Sequence, residues 1–400
     1  MQREFALMVF SLLGLISPTG CVSEPAVSTR WLGQNLIAFQ SPAAVFSPDS
    51  AQLAQRLSLT DRMAHYHTPG VSITVIDHGR IAWSRAYGVA DRNTGRAVTA
   101  ETVFEAASTS KFVTAVLALH LVDQGRIDLD RDVNRYLTSW HVPENEFTRE
   151  EKVTLRRLLT HQAGLPTTNY SHDASRGYPT LIDVLSASPP AQNKPATPER
   201  IPGSEWQYSN IGYNVIELLL SDVTGTPFAT LAEEVIFQPL EMSLSTFRYP
   251  LTPDRQLDEA KPHDGEGRAC EPAMHQTALA HAGLTTTTLD LARFTCQVMA
   301  AYRGEPNRLL SPAMARELFS EQVALDPRLY GIPMAEGLGV FLTGGGDDRC
   351  FLHPGSNLPG LNCWLIGWLE KDEAILIMTN GAGGELLAME IITAFALHLS

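Results

Sequence analysis

The most sustained apolar pattern in this chain lies between residues 104 and 121. Apolar side chains occur nearly all round a helical wheel there, at Phe112, Val113, Val116, Leu117, Leu119 and Leu121. A helix that is apolar on every side is usually buried in a protein core. The pattern therefore predicts a buried helix that begins next to the polar residues 108–111, whose sequence is Ser-Thr-Ser-Lys.

Alternating and continuous apolar runs predict strands towards both ends of the chain. Runs at 71–76 and 80–89 flank a His-Gly pair, which is typical of a hairpin. Towards the C terminus four more strands are predicted, at 337–342, 350–355, 361–369 and 374–379. Between the two groups, residues 136–280 show helical spacing that is interrupted by Pro and Gly.

This order of elements predicts an α+β fold, in which an antiparallel sheet is built from both ends of the chain and flanked by helices, with a helical insertion. We assign the sheet layer to about 49–135 and 281–400, and the helical insertion to about 136–280. Two outer helices are also predicted. One spans 50–63, and the other, at 385–399, is amphipathic and too short to span a bilayer.

The first residues of the chain form a different kind of segment. A basic residue precedes an apolar run at 5–16, and a Gly-Cys pair follows at Cys21. The run is shorter than the roughly 20 residues of a membrane span and suits a secretory signal. We predict a signal peptide at 1–21, a linker at 22–48, and export to the periplasm. Cys21 resembles the lipid-carrying residue of a bacterial lipoprotein, which would tether the protein to a membrane; an incidental cysteine is the alternative.

The overall composition excludes several classes of protein. The net charge is −14 and no basic stripe occurs, which argues against binding to nucleic acid. The apolar content of 44% and the charged content of 18% are those of a globular chain. The histidines form no His-Glu-x-x-His pattern, so neither a metal nor a cofactor is predicted.

Four further cysteines occur after the predicted signal peptide, namely Cys270, Cys296, Cys350 and Cys363. In an exported protein they could form disulfides, and four cysteines allow three pairings. Cys350 and Cys363 could face each other across neighbouring strands, but buried free thiols are an equal alternative.

Ser108 and Lys111 are the first candidate catalytic pair. Residues three apart share one face of a helix, so the hydroxyl and the amine would lie side by side. Such a pair at the buried start of a helix is a candidate activated nucleophile. The alternative is a helix-capping serine beside a lysine whose amine reaches the surface. The short spacing also arises by chance, so the assignment needs partners elsewhere in the chain.

Two later stretches supply candidate partners. Tyr208 and Asn210 come just before an apolar helical run, where a tyrosine could also simply pack and an asparagine could cap. His353, Pro354 and Gly355 lie on a predicted strand near the C terminus. A proline within a strand indicates an edge, because its nitrogen cannot donate to a neighbour. A glycine lets another backbone approach closely, such as that of a substrate.

Ser-x-x-Lys, Tyr-x-Asn and His-x-Gly, in this order, resemble the motifs of the serine β-lactamase and penicillin-binding protein superfamily. The resemblance is greatest to the branch with class C β-lactamases, D-alanyl-D-alanine carboxypeptidases, D-aminopeptidases and β-lactamase-like esterases. It covers roughly residue 53 to the C terminus and includes further runs at 158–165, 283–294 and 379–381.

The resemblance implies a role for each residue. Ser108 would be the nucleophile that forms an acyl-enzyme, and Lys111 would help to deprotonate it. Tyr208 would carry the proton to the leaving group. Asn210 would hold the carbonyl or amide of the substrate. His353 would sit behind Tyr208 and tune its proton.

The resemblance also implies an oxyanion hole formed by the backbone N–H groups of Ser108 and Ser356, next to Gly355. For Lys111 to act as a base near neutral pH, its pKa must fall by ~3 units, which corresponds to about 4 kcal/mol. Burial and nearby positive charge could supply this shift.

The third motif departs from that of the β-lactamases, which carry Lys-Thr-Gly. His353 would be only partly charged near neutrality, and Pro354 has no hydroxyl. The departure favours an esterase or a D-amino-acid peptidase over a β-lactamase or a D-alanyl-D-alanine carboxypeptidase. The expected partners are thus small-molecule esters, peptides or β-lactams. A non-catalytic penicillin-recognising protein is the alternative from another class, and the oligomeric state is left open.

Overall fold

The computed structural model describes residues 57–399, with the exceptions of 168–171, 173, 272–277 and 331. It also describes the strand Ala38–Phe39, which pairs with Leu57–Ser58. Three predicted features lie wholly or mostly outside the described residues: the signal peptide at 1–21 with Cys21, the linker at 22–48 and the helix start at 50–56.

A nine-stranded antiparallel sheet forms the centre of the fold, in the order β5-β4-β3-β13-β12-β11-β10-β9-β8. The strands of the described residues are β1 Ala38–Phe39, β2 Leu57–Ser58, β3 Gly70–Asp77, β4 Arg80–Asp91, β5 Arg96–Ala97, β6 Phe104–Glu105, β7 Thr285–Thr286, β8 Val323–Ala324, β9 Met334–Glu336, β10 Phe341–Thr343, β11 Cys350–Asn357, β12 Leu361–Trp368 and β13 Glu373–Thr379. The predicted α+β class with an antiparallel sheet is confirmed.

The middle of the sheet joins the two ends of the chain. Strand β3 pairs with β13, with Ile73 opposite Ile377. Both of these side chains are buried in one apolar cluster on one face of the sheet. On the other face, Ser72 and Thr74 are hydrogen-bonded to the Thr288 hydroxyl, each at 2.8 Å. Burial on both faces explains why the apolar run of β3 is nearly continuous.

Helices cover the sheet and form the insertion. They are α1 Leu59–His65, α2 Ser110–Asp123, α3 Leu155–Leu159, α4 Leu181–Ser186, α5 Asn210–Thr224, α6 Phe228–Ala232, α7 Pro253–Gln256, α8 Thr288–Arg303, α9 Pro312–Leu318, α10 Pro327–Tyr330 and α11 Gly384–Leu399. A π-helical turn, Glu233–Phe237, follows α6. Among the described helices, none is by itself long and apolar enough to cross a membrane, although α5 and the helical run Phe228–Phe237 pass that test as a pair bent by 78°.

Strand β11 is not the edge strand that Pro354 led us to expect. It pairs with β12 along its whole length, from Cys350 to Asn357. On its other side it pairs with β10 only as far as Leu352. From His353 onwards that side faces a different segment of the chain. The proline therefore lies just beyond the end of the second partner strand. Its lack of an N–H donor costs no hydrogen bond to β10 there.

Cys350 and Cys363 do not form the disulfide that the sequence allowed. In the register of β11 and β12, Cys350 lies opposite Trp368 and Cys363 lies opposite Gly355. Both thiols are buried and free, which is the alternative that the sequence left open.

Candidate active site

The segment that carries Ser108 joins β6 to α2. It is a 3₁₀ turn, Ala107–Thr109, in which Ala107 is buried and has a φ of 46°. A positive φ is uncommon for a residue with a Cβ and marks a backbone that its surroundings hold in place. Helix α2 continues directly from this turn, so Ser108 lies at a sharp entry into a buried helix.

The alternative interpretation required a serine that caps α2, but the hydroxyls around Ser108 bind other segments of the chain. Thr109 occupies the N-cap position without a side-chain cap bond. Its hydroxyl instead donates to the carbonyl oxygen of His353 at 2.9 Å. The Ser110 hydroxyl accepts a bond from the Leu284 N–H at 3.0 Å. These contacts fix the Ser108 segment between β11 and the chain before α8.

Lys111 lies beside Ser108 and does not reach the surface. Its side chain is fully buried, and its Nζ is 3.2 Å from the Ser108 Oγ. Nζ also donates to the carbonyl oxygen of His281 at 2.8 Å. Burial holds the pKa of Lys111 well below its usual range, which the charge of Glu336 only partly opposes. The amine therefore holds a proton less tightly than an exposed lysine does, which favours the free base that can accept one.

Two tyrosines flank the Lys111 amine. Nζ lies 4.8 Å from the ring centroid of Tyr208 and 5.6 Å from that of Tyr213. The Tyr208 hydroxyl interacts with the Ser108 side chain, whereas the Tyr213 hydroxyl donates to the Leu159 carbonyl at 3.2 Å. Burial raises the pKa of Tyr208 above its usual value, so the phenol keeps its proton. Ser108 thus lies between an amine and a neutral phenol.

The imidazole whose ring packs against Tyr208 is that of His161. The His161 and Tyr208 ring centroids are 4.3 Å apart. Nδ1 of His161 accepts the Ser209 N–H at 3.1 Å, which links it to the residue next to Tyr208. Burial and the charge of Lys111 hold the pKa of His161 well below its usual range. His161 lies in the run 158–165 that resembles the family, but a single histidine in that run did not indicate a catalytic or binding role.

His353 is buried on β11 and is uncharged. Its Nδ1 lies 3.0 Å from the carbonyl oxygen of Pro354, and its ring centroid is 5.6 Å from that of Phe341. Burial and the charge of Lys111 lower the pKa of His353 to about 3. The expectation that His353 is partly charged near neutrality is therefore wrong.

Gly355 is approached by the protein itself. A Cβ at this position would lie 2.3 Å from the Ala106 carbonyl oxygen, 2.8 Å from the Ser108 nitrogen and 2.9 Å from the Thr109 nitrogen. The backbone that approaches Gly355 in this structure is thus that of the Ser108 segment, where the sequence suggested that of a substrate. The glycine lets β11 and this segment touch.

The other two predicted binding residues lie at the same end of these elements. Ser356 follows Gly355 on β11, is exposed, and its hydroxyl donates to Asn362 Oδ1 at 2.9 Å. Asn210 is the first residue of α5, two positions after Tyr208. The three predicted motifs therefore meet where the start of α2, the end of β11 and the start of α5 converge.

A buried acid that was not predicted from the sequence, Glu336, lies at the end of β9. Its Oε2 accepts the indole N–H of Trp206 at 3.3 Å, and its Oε1 has no hydrogen-bond partner within the described part of the chain. Burial raises the pKa of Glu336 well above its usual range, with Lys111 acting in the opposite direction. The raised pKa favours the protonated acid, and the hydrogen bonds of the Lys111 amine go to Ser108 and the His281 carbonyl and not to a carboxylate. A single acid before a Gly-Leu-Gly run gives no sequence signal for this.

Over the described ranges, no group of three His, Cys, Asp or Glu side chains could hold a metal ion. The reactive groups that the site brings together are those of Ser108, Lys111 and Tyr208. An amine with a lowered pKa can accept the serine proton, and a neutral phenol can pass a proton on. This combination suits nucleophilic attack on a carbonyl carbon.

Comparison with protein families agrees with this geometry. A family described as Beta-lactamase matches residues 58–397. The chain is similar to esterase EstB of Burkholderia gladioli, with 32% identity over 211 residues, which cover 49% of this chain and 52% of the esterase. It is also similar to protein flp of Staphylococcus aureus (strain N315), with 25% identity over 50% of this chain and 38% of flp. The alignments thus span about half of the esterase and less of flp.

Two solved structures share the fold. One is the octameric penicillin-binding protein homologue from Pyrococcus abyssi, with a TM-score of 0.68, 22% identity and coverage of 85% of this chain and 76% of that one. The other is the D-alanine carboxypeptidase AmpC from Burkholderia cenocepacia, with a TM-score of 0.63, 22% identity and coverage of 84% and 96%. At this identity the likeness concerns the fold alone.

Proposed function

Because this chain belongs to the beta-lactamase family, we propose that it is a serine hydrolase that cleaves an ester or amide bond through an acyl-enzyme on Ser108. The observation that carries the proposal is the position of Ser108. Its Oγ is 3.2 Å from the Lys111 amine, which itself lies 4.8 Å from the ring centroid of Tyr208, and the Tyr208 hydroxyl interacts with Ser108.

In the proposed acylation step, the Ser108 Oγ attacks the substrate carbonyl carbon while its proton moves to the Lys111 amine. The oxygen of the carbonyl becomes an oxyanion, for which the N–H groups of Ser108 and Ser356 are the proposed donors. The proton then passes from Lys111 through the Tyr208 hydroxyl to the leaving oxygen or nitrogen, as that bond breaks. Water repeats the sequence on the acyl-enzyme, so that Ser108 regains its proton and the acid is released.

For the substrate, we favour an ester or a D-amino-acid peptide. The similarity to esterase EstB supports the ester, although it spans only about half of that protein. The neutral state of His353 supports both the ester and the D-amino-acid peptide over a β-lactam. An uncharged imidazole does not supply the positive charge with which the lysine of the β-lactamase motif binds the carboxylate of the drug. A β-lactamase or D-alanyl-D-alanine carboxypeptidase is the second candidate, on the basis of the shared family.

The proposal is tested with short-chain nitrophenyl esters, D-alanyl peptides and a chromogenic cephalosporin, assayed on the wild type and on Ser108→Ala. A fluorophosphonate probe should label the wild type and not Ser108→Ala. Ser110→Ala is the matched control, because it removes a hydroxyl two residues away that binds the Leu284 N–H. It should still be labelled. Equal labelling of Ser108→Ala and the wild type would place the nucleophile elsewhere and refute the proposal.

We also propose that the protein is exported, and that Cys21 carries a lipid that tethers it to a membrane. The support is the apolar run at 5–16 followed by the Gly-Cys pair. Cells fed with labelled palmitate should yield a labelled wild-type protein and an unlabelled Cys21→Ser variant. A wild-type protein that fractionates with the periplasm and carries no label would leave export standing and refute the tether.

A further inference from the structure

The loop before α8 supplies the carbonyl that holds Lys111. The His281 carbonyl oxygen accepts the Lys111 N–H at 2.8 Å. Residues 279–284 have neither helical nor strand structure. The position of this carbonyl therefore depends on contacts that the loop makes with neighbouring elements, and not on a regular backbone ladder.

Helix α5 holds the beginning of this loop through a buried acid. The carboxylate of Glu217 accepts the N–H of Leu279 at 2.6 Å and that of Ala280 at 2.9 Å. Helix α2 contributes on the other side, where the Thr114 hydroxyl donates to the Ala280 carbonyl at 2.9 Å. Both backbone polar groups of Ala280, the residue just before His281, are thus held by neighbouring helices.

A second residue of α5 holds His281 itself. The Asn214 Oδ1 and the His281 Nδ1 are 2.8 Å apart, and both side chains are buried. Since the amide oxygen accepts, His281 carries its proton on Nδ1. Asn214 and Glu217 are three residues apart and share one face of α5, the helix that begins just after Tyr208.

The end of the loop is tied to the Ser108 segment. The Leu284 N–H donates to the Ser110 Oγ at 3.0 Å, and the Leu284 carbonyl accepts the Ala106 N–H at 2.8 Å. The loop is therefore held at both ends by the elements that carry the reacting groups, with the His281 carbonyl between them.

We propose that Asn214, the His281 side chain and Glu217 are positioning residues that aim the lone pair of the Lys111 amine at Ser108. The inference rests on the proposed function, in which Lys111 takes the serine proton. A free-base amine has two N–H bonds and one lone pair. When one N–H is fixed on the His281 carbonyl, the lone pair is free to point at the Ser108 Oγ, 3.2 Å away. A mobile carbonyl would let the amine rotate and lose this alignment.

The test compares Asn214→Ala with Asn193→Ala, a matched control. Asn193 is also buried, and its amide donates at 2.8 Å to the carbonyls of Val184 and Lys194, in another part of the insertion. We expect Asn214→Ala to lower the acylation rate by about 10-fold or more with KM nearly unchanged, because only alignment is lost. Asn193→Ala should acylate like the wild type. The measurements are single-turnover labelling by the fluorophosphonate, nitrophenyl ester kinetics and urea unfolding.

The His281 side chain provides a second comparison, which decides the matter if Asn214→Ala does not fold. His281→Phe keeps a planar ring but has no donor, so it should acylate as slowly as Asn214→Ala. His281→Asn places an amide N–H near the position of Nδ1, and we expect it to restore the rate to within about 3-fold of the wild type.

Wild-type acylation rates in both Asn214→Ala and His281→Phe would overturn the inference. An equal loss in Asn193→Ala would overturn it too, because the effect would then follow from general loosening of the insertion. Failure of the proposed function is distinguishable from either result, since Ser108→Ala would then be labelled as well as the wild type.

Discussion

The Thr109 hydroxyl donates a 2.9 Å hydrogen bond to the carbonyl oxygen of His353, across 244 residues of sequence. This bond joins the segment that carries Ser108 to β11 just where β11 loses its pairing with β10. The 3₁₀ turn thus occupies the place of a missing strand. The nucleophile is held by the sheet itself, and its alignment depends on how closely the two backbones approach.

Gly355→Ala should separate these two backbones. The new Cβ would lie 2.3 Å from the Ala106 carbonyl oxygen and 2.8 Å from the Ser108 nitrogen, distances that force a shift of backbone atoms. We expect a loss of about 2 kcal/mol or more in the free energy of unfolding, and a loss of at least about 10-fold in kcat/KM. Gly345→Ala, at an open position, is the control. Full activity of Gly355→Ala would contradict the close contact.

Tyr208→Phe should slow hydrolysis by about 100-fold or more, because it removes the hydroxyl that binds Ser108 and would protonate the leaving group. Tyr213→Phe is the matched control. Its hydroxyl binds the Leu159 carbonyl, so it should lower stability by about 1 kcal/mol and leave the rate nearly unchanged. Steady-state kinetics on a nitrophenyl ester decide this. Equal effects of the two variants would remove Tyr208 from the reaction.

Glu336→Gln should retain activity within about 3-fold at neutral pH. Burial raises the pKa of Glu336, which favours the neutral acid, and an amide of the same shape replaces a neutral acid without a change of charge. The measurement is kcat/KM against pH from about 5 to 9. A loss above 10-fold, with the acid limb moved to lower pH, would show instead that a Glu336 carboxylate pairs with Lys111 and supports its charge.

Buried histidines should make the protein sensitive to acid. Burial holds the pKa values of His281 and His353 at about 3, against about 6.5 in an unfolded chain. Between these values the unfolded chain binds more protons, so stability falls as the pH falls through this window. At pH 5 each histidine should have removed about 2 kcal/mol relative to pH 7.

Urea unfolding at pH 7 and pH 5 measures this effect. Other groups titrate too, so the comparison is with His281→Asn, which should lose about 2 kcal/mol less than the wild type between the two pH values. The exposed His141→Gln is the control and should behave as the wild type does. The same pH dependence in His281→Asn would show that His281 does not contribute.

Much of the fold was predictable because its apolar periods are local. The hairpin of β3 and β4 and the buried helix α2 follow from runs that one window of sequence contains. The edge assignment of Pro354 failed for a different reason. Whether a strand has a second neighbour depends on where another strand ends, and the end of β10 is not encoded near Pro354.

The candidate active site was likewise predictable in one part and not in another. The neighbourhood of Ser108 and Lys111 is one helical turn and was predicted from spacing alone. His161, His281 and Glu336 were not assigned roles, because each is isolated in sequence and gains its place only through tertiary packing. His161 is the clearest example, because only tertiary packing brings its ring to 4.3 Å from that of Tyr208.

The pairing of β3 with β13 has a consequence for biosynthesis. A ribosome must release the chain as far as β13 before the central sheet can close, because β3 pairs with this strand, which is translated long after it. Long-range pairing of this kind is also slow. Catalytic competence should therefore require synthesis through β13, and a product that terminates before Glu373 should have no residual activity.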